Sequence, residues 1–202
     1  MQGGEEWSAD ALFKRAWRYK SYWGKKGGIT VSGGEPLLQI EFVTELFTIA
    51  KAHGVHTALD TSGNPFTMDE AYLEKFSRLI EVTDLFILDL KEIDEAKHKS
   101  LTGQSGSNIL NMATYLSDHN KPMWIRHVLV PGLTDDEEGL VQLKQFIDTL
   151  KTVERVEILP YHTLGLFKWE NLGIPYPLKD TPTPTEEEVR RAKQLLNIIQ
   201  VS

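Results

Sequence analysis

Short apolar runs and longer helical stripes take turns along this chain. Residues 8–22 carry the first helical spacing, with Ser8 placed to cap it. Ile29-Thr30-Val31 is a short strand. Pro36 suits the first position of a helix; Leu38, Phe42, Val43, Leu46, Phe47 and Ala50 form its stripe, and Gly54 stops it. Val55 to Leu59 reads as a second strand ending at Asp60, followed by a helix from about Met68 to Leu79. Leu85 to Leu88 is a buried-type strand ending at Asp89, and residues 107–119 are another helix. Met123 to Val130 is a long strand stopped by Pro131-Gly132. Thr134 with Glu137 makes a capping box for a helix reaching about Lys151. Val156 to Leu159 is a fifth strand, stopped at Pro160. A loop rich in proline and aromatic residues, 161–184, leads to a last helix capped by Thr185 and Glu188.

Strands alternating with helices predict parallel β/α units. A parallel β/α barrel, open or closed, fits best, with a doubly wound sheet as the competitor. No short repeat, low-complexity tract or linker interrupts the pattern, so residues 1–202 read as one domain. The order begins with a helix, so the strand expected before it is absent or lies ahead of Met1.

Charge and cysteine usage narrow the chemistry. The chain has 22 basic and 29 acidic residues, net −7, which argues against nucleic acid or an anionic membrane as a partner, since both need a basic face. No apolar run reaches membrane-spanning length and no secretory leader opens the chain, so the cytoplasm is the expected compartment. There is no cysteine, which excludes disulfides and thiolate metal sites within this chain.

The unusual polar residues fall at the carboxyl ends of the predicted strands. The first strand ends in Ser32-Gly33-Gly34-Glu35, the second in Asp60-Thr61-Ser62-Gly63 and the third in Asp89-Leu90-Lys91. The fourth carries Arg126 on one face with Trp124, Val128 and Val130, and the fifth ends in Pro160-Tyr161-His162. In β/α barrels that rim is where ligands bind. Glu35, Asp60 and Asp89 can accept from an ammonium or from ribose hydroxyls, and Lys91 or Arg126 can meet a carboxylate. Gly33 and Gly34 let a backbone carbonyl approach a ligand without Cβ obstruction. His162 can stack or hydrogen-bond near a nucleoside. Each item also has a purely structural reading: a strand-to-helix turn for Gly33-Gly34, an aspartate turn for Asp60, a surface pair for Asp89 and Lys91, a packed or surface ring for His162. Arg126 is the hardest to read that way, because a guanidinium inside an apolar strand needs a partner.

Five stretches then carry a resemblance. Gly27 to Gln39, Leu59 to Gly63, Val82 to Lys91, Trp124 to Gly132, and Leu159 to His162 with Lys168-Trp169 together resemble the pyruvate formate-lyase activating enzymes, in order and over essentially the whole chain. The resemblance implies radical S-adenosylmethionine chemistry in an incomplete (β/α)6 barrel, here lacking its first strand. In that family a [4Fe–4S] cluster with one open iron binds the amino acid end of S-adenosylmethionine. An electron from a donor such as flavodoxin or ferredoxin cleaves that cofactor to a 5′-deoxyadenosyl radical. The radical takes a hydrogen from a glycine of pyruvate formate-lyase, the protein partner. Carried over by motif, the Gly34 carbonyl meets the ammonium, Asp60 helps to hold that end of the cofactor, and Asp89, Leu90 and Lys91 line the site, with Lys91 near the carboxylate. His162 approaches the nucleoside, and Arg126 lies near the cofactor or the incoming glycine loop. Asp60, Thr61 and Asp89 frame a monovalent cation.

One departure bears on activity. The family's Cys-x3-Cys-x2-Cys loop lies upstream of the point where Met1 aligns, and cluster iron is held by thiolates. The expectation is therefore no cluster and no radical generation by this chain alone, with the strand at 29–31 leaving an exposed pairing edge. Two alternatives stay open: a cluster-less module that docks S-adenosylmethionine or pyruvate formate-lyase, and a related activase serving another glycyl-radical enzyme.

Overall fold

A computed structural model describes residues 4–24 and 27–198. Five strands form one parallel sheet: β1 Gly28–Val31, β2 His56–Thr61, β3 Leu85–Asp89, β4 Met123–Leu129 and β5 Val153–Pro160. Their order across the sheet is their order in the chain. That order decides between the two architectures expected. A doubly wound sheet reverses direction at a switch point, whereas here every crossover steps the same way, which puts the helices on one face. The result is a partial barrel that does not close, with β1 and β5 as edges among the described residues.

The helices are α1 Ala9–Trp17, α2 Ile40–Ala52, α3 Glu70–Glu81, α4 Glu95–Thr102, α5 Ser107–Asp118, α6 Glu137–Thr149, α7 Leu166–Leu172 and α8 Glu186–Leu195. Alternate strand residues point beneath them. In β4, Met123, Ile125, His127 and Leu129 are buried while Trp124, Arg126 and Val128 are half-buried on the concave face. Phe86 and Leu88 of β3 join the helix-side core, where the ring of Phe76 sits 5.0 Å from Phe66 and 5.7 Å from Tyr115.

Several expectations are corrected. The first helix stops at Trp17 rather than Tyr22; a 3-10 turn, Lys20–Tyr22, follows it, and Ser8 does cap it by accepting from the Ala11 amide at 3.3 Å. Pro36 opens a 3-10 turn, Pro36–Gln39, and α2 begins only at Ile40. The tighter winding rotates the stripe, so Leu37 enters the core at 3% exposure and Leu38 stands out at 75%. The helix after β2 starts at Glu70, leaving Met68 exposed.

The Thr134–Glu137 box does not form. Asp136 caps α6 by accepting from the Gly139 amide at 2.9 Å, and the buried Thr134 hydroxyl bridges the Val128 carbonyl and the Val130 amide. α4 has no counterpart in the pattern, because this charged helix buries only His98. α7 interrupts the expected loop. The Thr185–Glu188 box is present at α8.

Candidate functional site

The tips of β1 and β2 are joined by one carboxylate. Gly33 and Gly34 have φ of 91° and 54°, and an added Cβ would meet nothing at either, so conformation and not space calls for glycine there. The turn they make aims Glu35 across at β2. Its Oε1 accepts from the Leu37 amide at 2.9 Å and the Thr61 hydroxyl at 2.6 Å; its Oε2 accepts from the Ser62 amide at 2.9 Å and the Ser62 hydroxyl at 2.6 Å. Four donors on one carboxylate make Glu35 a clamp between two strand ends. Gly63, at φ 72°, then passes so close to β3 that a Cβ would lie 2.8 Å from Leu88 Cδ1.

The tips of β2, β3 and β4 are joined by a guanidinium. Arg126 stands beside Asp89 in the β3–β4 register, on the concave face. Its Nε donates to Asp89 Oδ1 at 2.9 Å, its Nη1 to Asp60 Oδ2 at 3.0 Å and its Nη2 to Asp60 Oδ1 at 2.5 Å. Burial alone would pull the guanidinium pKa down; the charges and hydrogen bonds of Asp89 and Asp60 outweigh it and raise the pKa above its ordinary value. Lys91 Nζ reaches the other Asp89 oxygen more loosely, at 3.6 Å. Three side chains read from sequence as separate ligand contacts are thus already partners of one another.

The remaining candidates divide. Lys91 and His162 line one cavity of about 450 Å³, walled by Val128, Leu159, Tyr161 and Tyr176. His162 is exposed, and its Nδ1 accepts from the Leu164 amide at 3.3 Å. The Tyr161 and Tyr176 hydroxyls are 2.9 Å apart, which holds the segment after α7 against the rim. Burial and the hydrogen bond with Tyr161 raise the Tyr176 pKa to about 12. Leu90 differs: its side chain belongs to the core, and only its backbone reaches the tips, donating to the Arg126 carbonyl at 2.9 Å and accepting from His127 Nδ1 at 2.8 Å.

Sequence reading missed Arg155 and Glu157. Glu157 is the direct neighbour of Arg126 across β4 and β5, and Arg155 Nη2 meets its Oε1 at 2.6 Å while lying 5.0 Å over the Trp124 ring. The signal available was local: Arg155 and Glu157 stand at alternate positions, which places them on one face of an extended segment.

Comparisons with known proteins bear on this rim. The Radical SAM superfamily model matches residues 2–143. The pyruvate formate-lyase-activating enzyme of Streptococcus mutans is 55% identical over 95% of this chain and 73% of its own length, and that of Listeria monocytogenes EGD-e 50% over 96% and 78%. The chain belongs to the pyruvate formate-lyase-activating enzyme family. A domain of such an enzyme from Bacteroides vulgatus has the same fold in its crystal structure, with a TM-score of 0.68 at 26% identity, covering 84% of this chain and 92% of that one. SuiB of Streptococcus suis, in a structure bound to S-adenosylmethionine, shares the fold alone at 14% identity, with a TM-score of 0.70, over 98% of this chain and 41% of its own.

Radical SAM enzymes use S-adenosylmethionine and a [4Fe–4S] cluster, and this family member fits the two unequally. It has no cysteine, and among its described residues no group of three His, Asp or Glu could hold a metal ion, so its own residues do not fit a cluster. The tips do fit a zwitterion with a nucleoside attached. Two carboxylates and a loosely held ammonium stand side by side, and the apolar cavity with His162 adjoins them. Among the described residues no helix is long and apolar enough to cross a membrane.

Proposed function

We propose that this chain is the cofactor-holding and substrate-facing body of an activase that installs a glycyl radical on pyruvate formate-lyase. One observation carries the reading: over 95% of its length the chain is 55% identical to the pyruvate formate-lyase-activating enzyme of Streptococcus mutans. In this reading Asp60 and Asp89 receive the ammonium of S-adenosylmethionine with the Gly34 carbonyl, Lys91 meets the carboxylate, and His162 borders the nucleoside. Gly33 sets the turn, Glu35 keeps the β1 and β2 tips together, and Arg126 balances the two aspartates. Leu90 contributes through its backbone, beside Lys91. A monovalent cation framed by Asp60, Thr61 and Asp89 would compete with the Arg126 guanidinium for the same oxygens. S-adenosylmethionine supplies the hydrogen-abstracting chemistry when bound to a reduced cluster, and this chain offers no thiolate to such a cluster. The electron donor is a flavodoxin or ferredoxin, and the compartment is the cytoplasm.

A second reading draws on the missing cysteines: a module that docks S-adenosylmethionine or pyruvate formate-lyase without radical chemistry. Anaerobic reconstitution with iron and sulfide, followed by electron paramagnetic resonance, separates the two. The chain alone should take up no cluster and leave no glycyl radical on pyruvate formate-lyase. The same chain preceded by a Cys-x3-Cys-x2-Cys segment should do both. Cluster uptake with no radical in the extended protein would favour the docking module.

A further inference from the structure

A cavity of about 810 Å³ lies outside the cluster of charged strand tips. It runs along the outer side of β5 from Val153 to Leu159, and its other wall is Lys193 and Leu196 with Asn197 and Ile198. β5 ends the sheet, and among the described residues no strand pairs with its outer edge. The Tyr161 amide donates to the Leu129 carbonyl at 3.0 Å. In a parallel ladder alternate residues turn to the same neighbour, so Leu159 and Glu157 face β4, while Ile158 and Val156 turn their amides outward. Pro160 falls in the outward phase, where a missing N–H costs the ladder nothing. Inside the edge, Arg155 is fixed by Trp124 and Glu157, so the concave side chains do not fold over it.

We propose that this edge takes an extended segment of the polypeptide on which the strand tips act, by strand addition. The inference rests on the reading of the chain as an activase of a protein substrate. Two features of the molecule select this occupant. β5 leads without interruption into Tyr161 and His162, so the groove is continuous with the rim cavity. A guest strand bonded to Val156 and Ile158 runs out of donors at Pro160 and is released there, beside Lys91 and His162. The chemistry agrees: a glycine has no side chain to grip, and strand addition holds its neighbourhood through main-chain hydrogen bonds.

The test is amide hydrogen exchange at Val156 and Ile158, with and without pyruvate formate-lyase. Both amides should exchange at least about tenfold more slowly in the complex. Val156→Pro removes an outward donor and no ladder bond, and should weaken binding of pyruvate formate-lyase by the molecules that stay folded at least about tenfold. If that variant melts early, Lys193→Trp narrows the groove from the opposite wall and should weaken binding likewise. Binding with unchanged exchange at these two amides overturns the inference and leaves the activase reading standing. Protection already present in the isolated chain, or rising with its own concentration, overturns it in favour of another strand of this chain or a second copy. Failure of the unaltered chain to bind pyruvate formate-lyase sinks the activase reading, and the inference with it.

Discussion

On the helix-covered face of β3 and β4, Phe86, Leu88, Met123 and Ile125 are fully buried. One residue along, Ile87, Asp89, Trp124 and Arg126 stand half-buried on the concave face of the same strands. The first face is a hydrocarbon layer in which shape decides everything. The second is a set of charges held by one another. Parallel sheets covered on both sides read as continuous apolar runs. Charges such as Asp89 and Arg126 in phase on the half-buried face are therefore the mark of a face that meets something polar. Stability is concentrated on one side of a peptide plane and chemistry on the other.

That contrast can be tested by striking each face in turn. Phe86→Ala, on the covered face, should cost about 3–5 kcal/mol in urea denaturation, because a fully buried ring leaves a cavity its neighbours close only in part. Its remaining folded molecules should titrate with S-adenosylmethionine as the unaltered chain does. Arg126→Leu, on the concave face, should cost less, about 1–3 kcal/mol, since Asp60 and Asp89 are left facing each other but are about one-fifth exposed. It should also change the ligand titration. A titration unmoved by Arg126→Leu, or moved by Phe86→Ala, would erase the division of labour.

The loop after β4 sharpens the comparison. Thr134→Val strands the buried Val130 amide and Val128 carbonyl and should cost about 1–3 kcal/mol. Asp136→Ala removes only a helix cap and should cost about 1 kcal/mol. The opposite order in thermal melts would restore Thr134 as the cap.

The smallest effect concerns the far end of the sheet, where Asp84 joins α2 to β2 by accepting from Lys51 at 2.7 Å and the Thr57 amide at 2.9 Å. Burial raises the Asp84 pKa, but those bonds and the Lys51 charge outweigh it and hold the carboxyl below 3.8. A depressed folded pKa adds stability that is complete above the unfolded value and is lost as pH falls through the folded one. Asp84→Asn should therefore be less stable at neutral pH by under about 1 kcal/mol, and its stability curve should meet that of the unaltered chain at pH below 3.8.

The strand tips were legible because their residues are fixed by local pattern. The ends at Glu35, Asp60, Asp89 and His162 follow from where apolar runs stop, and alternation placed Arg126 on the face opposite Ile125. Leu90 was misplaced because the tip loop turns its side chain back into the core while its backbone stays at the rim. Leu38 was misplaced because a 3-10 turn winds three residues where a helical stripe assumes 3.6. α4 and α7 escaped because neither carries a sustained apolar stripe.

By itself the sequence determined the alternation of strands and helices, the parallel sheet they imply and the absence of any thiolate. Those properties are local or countable. Only the tertiary structure decided which charges answer which. Asp60 and Arg126 lie 66 positions apart, and Glu35 and Ser62 lie 27 apart. Register across strands brings them within hydrogen-bond reach, and register is a property of the whole sheet rather than of any segment.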